Sequence, residues 1–178
     1  MTRARKELID INSTPYYHCI SRCVRRAFLC GEDHLTGNNY EHRKAWVVER
    51  LAELSQVFAI EVCAYAVMSN HYHVVLRVDQ QKAQSWSEAQ VVAQWEKLFS
   101  IPLLVQKYKE GTDIPAVALE AKKIITQGRA RLMDISWYMR SLNEYLARRA
   151  NEEDRCTGRF WSLLRPRHLD SCPSGRVL

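Results

Sequence analysis

The chain has 178 residues, 47 % of them apolar, which is enough for a packed core and excludes disorder along the whole chain. A formal charge of +6 and a pI of about 9.1 give a mild positive field, suited to phosphate-rich partners or to an ordinary solvated surface. No run approaches the roughly 18 apolar residues of a membrane helix, and the charged start MTRARKELID does not read as a secretion signal.

Cysteines stand at Cys19, Cys23, Cys30, Cys63, Cys156 and Cys172. Lying among packing residues, as in VCAYAV, most read as small buried hydrophobes in a reducing compartment. A zinc site built on Cys19, Cys23 and Cys30 would need His18 or His34 as a fourth ligand, and the spacing is not that of a zinc ribbon.

In chain order, residues 1–12 are a basic, polar lead-in. TPYYHCISRC predicts a strand over about 15–24, with Tyr17, Cys19 and Ser21 on one side and Tyr16, His18, Ile20 and Arg22 on the other. CGEDHLTGNN is a loop. A helix is expected from about Tyr40 to Val57, with Trp46, Leu51, Leu54 and Phe58 near helical spacing. IEVCAYAVM, almost wholly apolar, predicts a central strand. The short link through Ser69 and Asn70 then requires an antiparallel hairpin with HYHVVLRV. Residues 79–133 are less regular. WSEAQVVAQWEKLF reads as helical with Ser85 or Ser87 as cap, and a further helix is expected over about Ala116–Arg131. Asp134 caps the strongest helix of this half, whose stripe is Ile135, Tyr138, Met139, Leu142, Tyr145 and Leu146. Beyond Trp161, Pro166, Pro173 and Gly175 interrupt any pattern, so residues 162–178 read as an irregular tail. The order is one strand short of a split β-α-β-β-α-β sandwich.

Period two places His71 and His73 on one side of their strand with Val75 and Arg77, opposite Tyr72, Val74, Leu76 and Val78. Two imidazoles about 6–7 Å apart along a strand can converge on one cation. They leave it less negative than carboxylates would, so a phosphate can still approach. The plain alternative is a pair of half-buried histidines.

The string Tyr65-Ala66-Val67-Met68-Ser69-Asn70-His71-Tyr72-His73-Val74-Val75-Leu76 resembles the hallmark strand pair of the IS200-like, REP-associated tyrosine transposases. Tyr17-His18 with Ser21-Arg22, and Thr157-Gly158-Arg159-Phe160-Trp161, extend the resemblance over residues 13–161. It implies an α+β fold: the ferredoxin-like antiparallel sheet of HUH endonucleases, with helices on one face. It also implies that His71 and His73 hold Mg²⁺ or Mn²⁺. A tyrosine would then attack a phosphodiester of single-stranded or hairpin DNA, leaving a 5′-phosphotyrosine and a free 3′-OH during transposition. The implied setting is a bacterial cytoplasm, associated with the nucleoid and with no membrane partner; some members of the family act as homodimers.

The likeness stops at Trp161, and the family's last strand and its tyrosine-bearing helix are not recognisable beyond it. Strand transfer is therefore expected to be impaired. Tyr145 is the best substitute nucleophile by type, beside Arg148 and Arg149, although its place on the apolar stripe argues for a core tyrosine. Arg22, Arg25, Arg26 and Arg77, with Arg148, Arg149, Arg155 and Arg159, are the candidates for DNA contact. A non-catalytic protein that binds DNA hairpins is the alternative reading.

Overall fold

Alternation of large apolar and polar residues makes two-faced strands of Tyr16–Arg22 (β1) and His71–Val78 (β3). In the computed structural model, which describes residues 13–24, 28–34, 36–111, 113–162 and 167–168, they pair antiparallel from Tyr16 opposite Arg77 to Arg22 opposite His71. Tyr17, Cys19, Ser21, Tyr72, Val74 and Leu76 are buried on one face, while His18, Ile20, His71, His73, Val75 and Arg77 are half-open on the other. Both strands therefore have the facing expected from sequence.

Ile60–Val67 (β2) adjoins β3, and Arg167–His168 (β4) pairs antiparallel with Tyr17 and His18, giving the order β2-β3-β1-β4. Two expectations are corrected here. The apolar string of β2 does not mark a central strand, because β2 lies at the sheet edge with Cys63, Ala64, Tyr65 and Ala66 exposed. Small and β-prone residues satisfy strand propensity without needing burial. Nor is the position beside β1 vacant. Trp161 bridges Cys23, Ser162 N–H donates to the Arg22 carbonyl at 2.7 Å, and β4 continues the pairing. Ladder bonds are made by backbone groups, so a segment without side-chain period can still form one. The rest of the expected tail lies outside the described residues.

The helices are Arg43–Val57 (α1), Gln80–Ser85 (α2), Glu88–Glu96 (α3), Leu103–Lys109 (α4), Pro115–Leu132 (α5) and Ile135–Glu153 (α6). Ser87 starts α3 through a capping box with Gln90, Pro115 opens α5, and the Asp134 carboxylate accepts from Ser136 and Trp137 N–H at the start of α6. The six-residue α2 and seven-residue α4 are too short to show a helical period in sequence. Helices α2–α5 stand between β3 and α6 in an otherwise β-α-β-β-α-β order.

The chain divides into two compact units. Residues Ala52–Glu61 and Val78–Ser141 form one, with Val57, Phe58, Val91, Ile125, Leu132 and Tyr138 in its core. Arg129 ties it by donating to the Ala83 carbonyl at 2.6 Å and the Trp86 carbonyl at 2.5 Å.

The other unit comprises Met1–Leu51, Val62–Arg77 and Leu142–Leu178 and carries the paired stretch of β1 and β3. Within it the start of α1 runs antiparallel to the end of α6. Arg50 lies over the Tyr145 ring at 4.7 Å, and Arg149 over Trp46 at 4.3 Å. The wholly buried Arg43 donates to Glu153 at 2.6 Å, to Asp154, and to the Phe28 carbonyl at 2.9 Å. Those charge-assisted bonds are what make a buried guanidinium tolerable.

Asn143 fixes α6 to the closed face of the sheet. Its Oδ1 accepts from the Tyr72 hydroxyl at 2.8 Å, its Nδ2 donates to Ser21 Oγ at 3.1 Å, and its carbonyl accepts from Trp161 Nε1 at 2.8 Å. Asn143→Ala strips two buried hydroxyls of a partner and is expected to cost about 2–4 kcal/mol in denaturant unfolding. Adding Tyr72→Phe should recover part of that loss, since it removes one of the hydroxyls left behind; a neutral single variant would contradict this account.

Candidate functional site

The hairpin link between β2 and β3 is held from outside by the chain that follows β1. Cys23 N–H donates to the Asn70 carbonyl at 2.8 Å, Leu29 N–H to the Ser69 carbonyl at 2.7 Å, and Cys30 Sγ to the Met68 carbonyl at 3.2 Å. Gly31, at φ +85, lets this chain turn back where a Cβ would stand 3.9 Å from Ser69 Cβ. The pinned backbone aims the Asn70 side chain forward, and its Oδ1 lies 2.7 Å from His71 Nδ1. An amide oxygen only accepts, so His71 carries its proton on Nδ1.

One step along the same face, His18 Nε2 lies 2.8 Å from His73 Nδ1. Those two rings lie nearly parallel, side by side, with centroids 5.0 Å apart, and His71 meets His73 edge-on at 5.1 Å. The sheet thus brings together three imidazoles, two from β3 and one from β1. Neither His71 Nε2 nor His73 Nε2 has a hydrogen-bond partner among the described residues.

The pKa of His71 is held below its ordinary 6.5 by burial first, then by His73 and by Arg22, its cross-strand neighbour. A lowered value keeps the ring neutral to lower pH, and a neutral ring is the one that ligates. Among the described residues no group of three or more His, Cys, Asp or Glu side chains is placed to hold a metal. Two imidazole nitrogens are what the chain itself offers. The remaining positions of an ion held by them would go to water or phosphate oxygens. Burial pushes the Cys19 and Cys23 thiols up to about 12, so neither is a thiolate ready for metal, in keeping with their reading as core residues. Cys30 is buried too, whereas Cys63 and Cys156 are exposed; Cys172 lies outside the described residues.

The candidate DNA-contact residues separate. Arg22 is exposed opposite His71, and Arg77 lies on the same sheet face at its far end. Arg25 and Arg26 fall outside the described residues. Arg148 and Arg149 are on α6, which covers the other face through Asn143. Arg148 pairs with Glu144 at 3.3 Å, and Arg149 donates to the Tyr145 hydroxyl at 2.7 Å. Arg155 and Arg159 are exposed beyond α6. Tyr145 is half-buried between Arg50 and Arg149 and is not brought to the histidines, because the sheet lies between. From sequence, His18 had a place on the first strand and Asn70 a place in the hairpin link, neither tied to the histidine pair. The parity of His18 with Ile20 and Arg22 was the available signal; its reach across to His73 depends on strand pairing.

No known protein family, curated protein or solved structure matched the chain. The unit of Ala52–Glu61 and Val78–Ser141 has its own cleft of about 250 Å³, lined by Val92, Trp95, Ile101, Val105, Ile125 and Arg131 among others, and it contains none of the candidate site residues singled out from sequence.

An NMR titration of the metal-free chain should find His71 titrating below 6.5, and Arg22→Gln should raise its midpoint by removing a cation. As pH falls through 6.5 the unfolded chain takes up this proton first, so the stability linked to a neutral His71 is present above that pH and is lost below it. A His71 midpoint at or above 6.5 would contradict the assignment.

Proposed function

We propose that this chain is a DNA-transposition protein of the IS200-like single-tyrosine type that binds single-stranded or hairpin DNA beside a divalent cation and is impaired in strand cleavage. One observation carries the reading. Two imidazoles share an open sheet face, each with Nδ1 engaged and Nε2 unpartnered among the described residues, beside the Arg22 guanidinium.

On this reading His71 and His73 hold Mg²⁺ or Mn²⁺ through Nε2. A bound cation supplies stabilisation of charge on the non-bridging oxygens of a phosphodiester. Arg22 and Arg77 hold the flanking backbone along the same face, an electrostatic task independent of base sequence. The half-open Ile20 and Val75 side chains give the strand an apolar bed between them.

The impairment rests on the nucleophile. A tyrosine must reach the phosphorus in line with the leaving oxygen, and Tyr145 is on the helix that covers the opposite face, its hydroxyl taken by Arg149. That placement also favours the second reading, a hairpin-binding protein without chemistry.

Hairpin-flanked single strands, titrated at several salt concentrations, should bind with an affinity that falls as salt rises. Replacing Arg22 or Arg77 with Ala should weaken every sequence alike and lower the salt slope by about one unit. His71→Ala should abolish Mn²⁺ uptake and leave most of the DNA affinity. Absence of hairpin binding at moderate salt would rule out the DNA reading, while a robust covalent 5′-phosphotyrosine adduct from this chain would rule out the impairment.

A further inference from the structure

We infer that His18 and Asn70 are positioning residues that place the ring protons of His73 and His71 on Nδ1 and so leave both Nε2 atoms open to one cation. The inference rests on the metal reading above and adds to it the groups that make the two histidines competent ligands.

A neutral imidazole has one N–H and one lone pair, and the partner of one nitrogen decides which the other presents. Asn70 Oδ1 at 2.7 Å leaves His71 no choice: Nδ1 donates, and Nε2 carries the lone pair. His73 differs, because its partner is another imidazole at 2.8 Å. If His18 Nε2 donates, the His73 proton sits on Nε2 and the ring cannot ligate through that atom. If His18 Nε2 accepts, His73 donates from Nδ1 and its Nε2 is open. The short contact therefore has two proton arrangements, and a cation at His73 Nε2 selects the second. His18 must then be neutral, with its own proton on Nδ1.

The local fold is arranged to hold both contacts. Asn70 sits in the link pinned by Cys23, Leu29 and Cys30, so its side chain starts from a fixed backbone. His18 is held in the middle of β1, opposite Val75 on β3 and beside Arg167 on β4. Neither residue needs to touch the cation. Each orients a ring and adds to its basicity, the usual work of a group hydrogen-bonded behind a metal-binding histidine. Arg22 lies beside His71 rather than His18 in the β1–β3 register. The pair His18–His73 is thus the part of the site that can change its proton arrangement, while His71–Asn70 cannot.

The test is Mn²⁺ binding by the full chain, measured by titration calorimetry, with the histidine tautomers read by ¹⁵N NMR. His18→Leu and Asn70→Ala should each weaken Mn²⁺ binding about 10- to 100-fold. His18→Gln and Asn70→Asp, which restore an acceptor near the same place, should recover most of the loss; a merely structural role would not distinguish the pairs this way. In the metal-free chain His71 should carry its proton on Nδ1 and lose that preference in Asn70→Ala. Wild-type affinity in His18→Leu, or His18→Gln as weak as His18→Leu, overturns the role of His18 and leaves the metal reading standing. A wild-type chain that takes up no Mn²⁺ but keeps the His71 Nδ1 proton supports the proton placement and overturns the metal reading.

Discussion

The antiparallel register of β1 on β3 is the constraint on which the rest depends. With Ser21 opposite Tyr72, Cys19 opposite Val74 and Tyr17 opposite Leu76, the closed face is buried, while Arg22 stands opposite His71 and Ile20 opposite His73 on the open one. A slip by one residue would drive His73 and His71 into the core and Tyr72 and Val74 into water. The burial of Val74 and Leu76, each worth about 1.5–3 kcal/mol, opposes that slip. So does the Asn143 network, whose three contacts reach β1, β3 and Trp161 together and fit a single alignment. The packing of the closed face therefore fixes the geometry of the open one.

This division sets the ligating groups of the open face apart from the tyrosines of α6. The open face holds His18, His71, His73, Arg22 and Arg77, groups that bind cations or phosphate. The tyrosines of α6 serve packing. Tyr138 is fully buried against Phe58, and Tyr145 is held between two guanidinium groups. Tyr72 spends its hydroxyl on Asn143. On the proposed reading, the groups that would bind lie on the open face, and the tyrosines of α6 do not reach it.

The strand facing and the histidine pair were legible because a period of two is written directly in HYHVVLRV and in YYHCISR. The long helices were legible from their stripes and from Asp134, Ser87 and Pro115 at their starts. What was not legible depends on partners distant in sequence. Burial of Arg43 needs Glu153 and Asp154 on α6, and nothing local in RKAWVV announces it. The edge position of β2 could not be read from its apolar string, because small residues make a strand look central whether or not a neighbour covers it. The contact from His18 to His73 needs the register, which local pattern alone does not state. Short β4 escaped because a two-residue ladder leaves no side-chain signature.

Anomalous diffraction from crystals grown with saturating Mn²⁺ tests the central claim most directly. The account predicts a single anomalous peak on the open sheet face within coordination distance of Nε2 of both His71 and His73, with His18 still against His73 Nδ1. A peak bound by one histidine alone, or no peak on that face, would contradict it.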